Sequence, residues 1–153
     1  MFKTMINSYA LGRDLSDVIR GASEKKFDGE MKISVYDIKS GLKANVQGNN
    51  PGWAASIIKV PVMVSTLKEI EEGNLSFKSE LDVNDHELKL EEYDYVSSLP
   101  AGSRIKVSDL ILRMIIASDN EATNLLAREI GVPKINADMW DLGMENSMMG
   151  HLL

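Results

Sequence analysis

The chain has 153 residues, of which 44% are hydrophobic and 26% are charged, and its net charge is −6 at neutral pH. These values are typical of one soluble globular domain, and no apolar run approaches the roughly 18 residues that a membrane-spanning helix needs. The negative charge argues against nucleic acid or an anionic membrane as a partner. Because cysteine is absent and the two histidines, His86 and His151, are far apart in sequence, we expect no disulfide, no thiolate chemistry and no metal or organic cofactor.

Residues 1–50 carry the signals of one helix and one β-hairpin. Apolar residues recur at helical spacing between Asp14 and about Lys26, which predicts an opening amphipathic helix. Apolar and polar residues then alternate from Met31 to Asp37 and again from Gly41 to Val46. The turn residues Lys39-Ser40-Gly41 lie between these two segments, so the pattern predicts a hairpin.

Residues 51–153 are predicted to be mostly helical. The apolar segment from Trp53 to Ile70 predicts a helix that ends near Gly73. Pro61 lies inside this helix and should bend it, unless it falls in the first turn, where backbone N–H groups are unpaired anyway.

The second half of the chain begins with a polar segment, Phe77 to Lys106, for which we expect mostly irregular structure. Three helices follow. Ser108-Asp109 is the expected cap of the first, and Asp119 or Asn120 that of the second. Gly131-Val132-Pro133 precedes the third, which is predicted to end at Gly143.

A serine followed three positions later by a lysine is a candidate nucleophile and base, but the pattern is common. It occurs five times, at Ser23/Lys26, Ser40/Lys43, Ser56/Lys59, Ser65/Lys68 and Ser103/Lys106. Only Ser56 and Ser65 lie in a predicted apolar helix. Nine residues at about 100° each place these two serines on opposite sides. If Ser65 faces solvent with its lysine, Ser56 is therefore expected to face inward.

The Ser56 pair has the chemistry of an activated serine. Spacing of three residues on a helix puts the Lys59 amine beside the Ser56 hydroxyl. Apolar neighbours such as Trp53, Ile57 and Val60 would disfavour the charged ammonium and leave an amine that accepts a proton. The helix N-terminus adds N–H groups that suit an oxyanion. The alternative is that Ser56 only caps the helix and Lys59 is solvated.

The tripeptide Ser118-Asp119-Asn120 lies 62 positions after Ser56. A specified tripeptide is expected by chance in about one of fifty chains of this size. In isolation, helix capping is the favoured explanation, because the tripeptide precedes a helical segment with an acid in its first turn. The order and spacing of the two motifs, with Lys59-Val60-Pro61 after the first serine and residues 120–126 at the second, favour an acyl-transfer site.

With these motifs the chain resembles the serine β-lactamase and penicillin-binding transpeptidase family, and class A β-lactamases most closely, from about Leu15 onward. Members of that family are characterised by three motifs, Ser-x-x-Lys, Ser-Asp-Asn and Lys-Thr-Gly. The resemblance implies an α/β (α+β) fold in one partial domain, 1–153. Residues 1–50 would form the N-terminal helix and hairpin of the α/β part, and residues 51–153 the helical part.

The resemblance also implies a role for each motif residue. Ser56 would be the acylated nucleophile, Lys59 the proton acceptor, Ser118 a proton relay to the leaving nitrogen, and Asn120 a donor to the substrate amide. Asp119 would be structural. The substrate would be a β-lactam or an acyl-D-alanyl peptide, and the mechanism needs no cofactor.

Two parts of the family pattern are absent. The Lys-Thr-Gly strand, which binds the substrate carboxylate, should follow the Ser-Asp-Asn loop, but the chain offers only Lys39-Ser40-Gly41, which we interpret as a turn. The deacylating glutamate is expected after Leu153, so Glu145 is too early and is expected on the surface. The strands that would complete the sheet are also missing.

Three hypotheses follow. In the first, the chain is a serine hydrolase whose C-terminal strands are supplied by a second chain or by a homo-oligomer. In the second, it is a catalytically inactive fragment or interaction module. In the third, it is an unrelated helical protein in which both motifs are helix caps. The family implies an extracytoplasmic location, although residues 1–14 lack the apolar core of a signal peptide.

Overall fold

The computed structural model describes Asp17, Gly21, residues 29–83 and residues 94–153. Apart from Asp17 and Gly21, the predicted opening helix lies outside the described residues. The chain divides into two compact units, Met1–Trp53 and Ala54–Leu153.

The first unit contains the predicted hairpin. Strand β1, Ile33–Tyr36, pairs antiparallel with strand β2, Lys43–Val46. Gly41 has a φ of +70° in the connecting turn, and the Ser40 hydroxyl donates to the Asp37 carboxylate. Hydrogen bonds from the Ser40 hydroxyl and from a backbone N–H hold the pKa of Asp37 below its usual range. The interpretation of Lys39-Ser40-Gly41 as a turn is confirmed.

The second unit packs helices around one core. Its described elements are α1 (Lys59–Glu71), β3 (Glu80–Val83), β4 (Ser103–Lys106), α2 (Val107–Ile116), α3 (Asn120–Ile130) and α4 (Val132–Asp141). Helix α1 contacts α2, α3 and α4. The largest fully buried apolar side chains come from all four helices: Val62, Leu110, Met114, Leu126, Ile135 and Met139. No helix in the described part of the chain is long and apolar enough to cross a bilayer.

A short 3-10 turn, Ala55–Ile58, leads into α1. Pro61 is the third residue of α1, so it lies in the first turn and leaves the helix intact, because a backbone N–H at this position has no partner inside the helix. The helix ends at Glu71, and Gly73 follows with a φ of +82°. The predicted end near Gly73 is confirmed.

The prediction of mostly irregular structure between Phe77 and Lys106 is wrong in part. Strands β3 and β4 pair antiparallel, with Leu81 opposite Ile105. Ile105 is buried in the core, and Leu81 packs against that core. Apolar residues therefore alternate with charged ones along both strands, and the polar composition of the segment conceals this short pattern. Residues 84–93 lie outside the described residues.

The predicted Ser108-Asp109 cap of α2 is also wrong. The helix begins at Val107, and no side chain caps it. Strand β4 runs directly into α2, and the first N–H groups of the helix donate to carbonyls of the loop that precedes β3. Val107 donates to Ser79 at 2.9 Å, and Ser108 donates to Phe77 at 3.1 Å. Backbone contacts distant in sequence thus replace the local cap.

The residues after α4 are tied to the helices by two asparagines. The Asn136 side chain accepts from the Met149 N–H at 2.7 Å and donates to the Met149 carbonyl at 2.9 Å. Asn124, fully buried, accepts from the Leu153 N–H at 2.8 Å and donates to its carbonyl at 3.0 Å. Each asparagine thereby satisfies both backbone groups of one residue, which fixes a segment without regular secondary structure.

Candidate active site

Three segments of the second unit bring the predicted site residues together. Ser56 lies in the 3-10 turn, Lys59 is the first residue of α1, and Ser118 and Asn120 flank the start of α3. The hydroxyl oxygens of Ser56 and Ser118 are 3.0 Å apart. The Lys59 ammonium donates to the Ser118 hydroxyl at 2.8 Å and to the Asn120 side-chain oxygen at 2.7 Å. The Ser118 hydroxyl therefore connects the Ser56 hydroxyl to the Lys59 amine.

Lys59 is buried, with 2% of its surface exposed, so the alternative that it is solvated is wrong. The predicted apolar shield does not explain this burial, because Trp53, Ile57 and Val60 are all exposed. Polar groups contact the amine instead, including the Ser118 carbonyl. The Lys59 amine is therefore buried against hydrogen-bond acceptors of the Ser-Asp-Asn loop.

The predicted orientation of the two helical serines is wrong. Ser65 is fully buried, whereas Ser56 is exposed. Ser65 shares the inner face of α1 with Val62 and Thr66, while Ser56 precedes the helix in the 3-10 turn, where the angle per residue differs from that of an α-helix. No side chain caps α1, so the alternative that Ser56 is only a cap is also wrong. The exposed hydroxyl is accessible to a substrate.

The Ser-Asp-Asn loop combines an unusual backbone with a buried carboxylate. Ser118 has a φ of +57°, in the left-handed region that residues other than glycine rarely adopt. Asp119 is 1% exposed and accepts from the Ala122 N–H at 2.8 Å and from the Val96 N–H at 3.1 Å. The predicted capping by Asp119 is therefore confirmed. Asp119 caps the helix, while Ser118 and Asn120 of the same motif contact Ser56 and Lys59.

One residue of this region had no sequence signal. The Asp94 carboxylate accepts from the Asn120 N–H at 2.8 Å and from the Glu121 N–H at 3.4 Å. Asp94 belongs to no motif and lies 26 positions before Asn120 in a polar segment. Only the folded chain brings its carboxylate to the start of α3.

The remaining candidates lie outside this cluster. Glu145 is exposed, as predicted. The Lys39-Ser40-Gly41 turn belongs to the first unit. Within the described residues, no group of three histidine, aspartate or glutamate side chains is placed to hold a metal ion.

Comparison with known proteins supports the same family. The model of the β-lactamase enzyme family matches residues 10–153. β-Lactamase VEB-1 of Pseudomonas aeruginosa is 24% identical over 134 residues, which are 86% of this chain and 44% of VEB-1.

Two solved structures resemble this fold. A mutant of PBP-A, solved as an acyl-enzyme complex with penicillin G, superposes with a TM-score of 0.81 and 24% identity over 92% of this chain and 53% of PBP-A. An ancestral class A β-lactamase gives a TM-score of 0.77 and 22% identity over 93% of this chain and 52% of its own.

These matches confirm the predicted α+β fold of the β-lactamase and transpeptidase type. The chain spans about half the length, or less, of the relatives that it matches. The hypothesis of an unrelated helical protein is wrong. On the family match and the clustered motifs, the chain belongs to the β-lactamase enzyme family.

Proposed function

We propose that this protein is a serine β-lactamase-like hydrolase in which a β-lactam or an acyl-D-alanyl peptide acylates Ser56. The connected cluster of an exposed Ser56, a buried Lys59 and the intervening Ser118 hydroxyl carries the proposal. Family membership and the penicillin G acyl-enzyme of PBP-A support this substrate class.

The first step forms the ester. The Ser56 oxygen attacks the substrate carbonyl carbon while the hydroxyl proton of Ser56 passes through the Ser118 hydroxyl to Lys59. Lys59 must be a neutral amine before this transfer and becomes an ammonium after it. N–H groups at the start of the serine turn stabilise the negative charge that develops on the carbonyl oxygen. The Asn120 side chain donates to the substrate amide.

The second step releases the amine portion of the substrate. The carbon–nitrogen bond breaks, and the proton held by Lys59 returns through Ser118 to the leaving nitrogen. In a β-lactam this nitrogen stays attached to the acyl group through the opened ring. Water then hydrolyses the ester and regenerates the Ser56 hydroxyl.

The alternative is a catalytically inactive fragment or interaction module, which the family match and the similarities do not favour. We favour the hydrolase, because burying a lysine costs free energy and the chain retains a buried lysine beside a serine pair. A second chain or a homo-oligomer, which we predicted as a partner, is not supported by any of the similarities.

The proposal is tested by incubating the purified protein with penicillin G and recording intact masses. We expect one covalent adduct in the wild type and none in Ser56→Ala. Ser103→Ala is a matched control, because it removes the serine of another Ser-x-x-Lys pattern, on β4, and should leave the adduct unchanged. An unmodified wild-type protein, or an adduct that persists in Ser56→Ala, would contradict the proposed function.

A further inference from the structure

The first N–H groups of α3 are all paired within the protein. Asp94 accepts from Asn120 and Glu121. The Asp119 carboxylate accepts from Ala122, and the Asp119 carbonyl accepts from Thr123 at 3.3 Å. Two carboxylates therefore share the task that one capping side chain normally performs. Since Asp119 already caps the helix, capping alone does not require Asp94.

The segment that carries Asp94 is itself held against the same loop. The Val96 N–H donates to Asp119, and the Val96 side chain is buried. The Arg113 guanidinium lies 3.6 Å from the centre of the Tyr95 ring, and the Arg113 carbonyl accepts from the Asp119 N–H. Residues 94–96 and the Ser-Asp-Asn loop are thus joined by hydrogen bonds in both directions: Val96 donates to Asp119, and Asn120 donates to Asp94.

Asn120 links this arrangement to the reaction centre. Its backbone N–H is fixed by Asp94, and its side-chain oxygen accepts from the Lys59 ammonium at 2.7 Å. The preceding Ser118 carries the left-handed backbone. A backbone in an unfavourable region persists only when its surroundings fix it. Asp94 fixes Asn120, which lies two positions after Ser118.

We propose that Asp94 is a positioning residue of the candidate active site: its carboxylate fixes the backbone of Asn120 and thereby holds the Asn120 side-chain oxygen against Lys59. This inference rests on the proposed function for its kinetic consequence, but its structural core is independent of activity. Asp94 touches no reacting atom and acts through Asn120.

The test compares wild type, Asp94→Ala and Asp94→Asn by amide hydrogen exchange and nuclear magnetic resonance of the isotope-labelled full chain. Asp94→Ala should speed exchange of the Asn120 and Glu121 amides by about tenfold or more, since a hydrogen bond to a charged acceptor is lost. It should also shift the Asn120 side-chain amide resonances. The Ala122 amide, paired with Asp119, should stay protected. Asp94→Asn retains an acceptor oxygen, so its Asn120 and Glu121 exchange rates should lie between those of wild type and Asp94→Ala.

The kinetic part measures the rate of Ser56 acylation by penicillin G. We expect Asp94→Ala to slow it roughly 10- to 100-fold, the usual consequence of a small displacement in an active site. Asp109→Ala is the matched control, because Asp109 is exposed and lies in the first turn of α2. This control should change neither the exchange nor the rate.

The outcomes separate the two proposals. Unchanged Asn120 exchange and side-chain resonances in both Asp94 variants would overturn the positioning role, whatever the acylation result. Faster exchange with an unchanged acylation rate would overturn its kinetic consequence. A wild-type protein that penicillin G does not acylate would contradict the proposed function, while the exchange and resonance data would still decide whether Asp94 positions Asn120.

Discussion

The pair Ser56 and Lys59 at the start of α1 differs from the pair Ser65 and Lys68, nine positions later, in which member is buried. In the first pair the hydroxyl is exposed and the lysine is 2% exposed. In the second the serine is fully buried, and 31% of the Lys68 side chain is exposed. Identical spacing on one continuous segment therefore produces opposite environments.

The partners of the two lysines differ as well. Lys59 donates to neutral oxygens of Ser118 and Asn120, one of which lies beside Ser56. Lys68 donates to the buried carboxylate of Asp138. Under the proposed function, the hydrogen bond from Lys59 to the Ser118 hydroxyl beside Ser56 serves proton transfer, whereas the ion pair of Lys68 with Asp138 stabilises the packing of two helices. The two Ser-x-x-Lys pairs therefore share their spacing and differ in the groups that their lysines contact.

Replacing each lysine separates the two roles most strongly. We expect Lys59→Met to slow acylation of the protein by penicillin G about 10²- to 10⁴-fold, because the proton acceptor is lost. Lys68→Met should leave that rate nearly unchanged and lower the melting temperature instead. Time-resolved intact mass spectrometry and thermal unfolding provide the two measurements. Equal slowing in both variants would show that the comparison is mistaken.

The ion pair at the second lysine predicts a dependence of stability on pH. Burial raises the pKa of Asp138, but hydrogen bonds from Lys68 and Lys134 outweigh it and leave the pKa below its usual range. This carboxylate therefore stabilises the fold above its unfolded pKa of about 3.9, and the contribution is lost as pH falls through the lower folded value.

Asp138→Asn removes that contribution. Because both lysines are partly exposed, we expect a loss of about 1 to 2 kcal/mol in the free energy of unfolding at neutral pH. The difference from wild type should shrink in acid. Urea unfolding at several pH values measures it, and a difference that stays constant down to acid pH would contradict the assigned role.

The smallest expected effect, that of Ser108→Ala, comes from a comparison of two predicted helix caps. Asp119→Ala should destabilise the fold by about 1 to 2 kcal/mol, since it removes the α3 cap and the acceptor of the Val96 N–H. Ser108→Ala should change stability by less than about 0.5 kcal/mol, because the hydroxyl of Ser108 caps nothing. Equal losses in the two variants, measured by urea unfolding, would argue against this assignment.

The sequence contained enough information to predict the cluster of Ser56, Lys59, Ser118 and Asn120, because these residues lie in two short motifs. The hairpin could be predicted for the same reason, since alternation and a turn signal suffice. The contact of Asp94 with the Asn120 N–H could not be predicted, because it joins residues 26 positions apart.

Other features escaped prediction because they depend on packing or on local deviations. The sides faced by Ser56 and Ser65 depend on a 3-10 turn, Ala55–Ile58, which a uniform helical angle does not represent. The start of α2 depends on carbonyls of the loop at residues 77–79 and not on a capping side chain. Strand β3 is too short and too charged for its alternation to stand out.

The most direct test of the central claim is peptide mapping of the penicillin G adduct. Digestion and fragmentation of the modified peptide should place the added mass on Ser56 itself and not on Lys59, and should leave the following peptide, which contains Ser65 and Lys68, unmodified. An adduct on Ser65 or on a lysine would contradict the assignment of Ser56 as the nucleophile. If no peptide carries an adduct, the clustered hydroxyl and amine groups do not form a working acyl-transfer site in this chain.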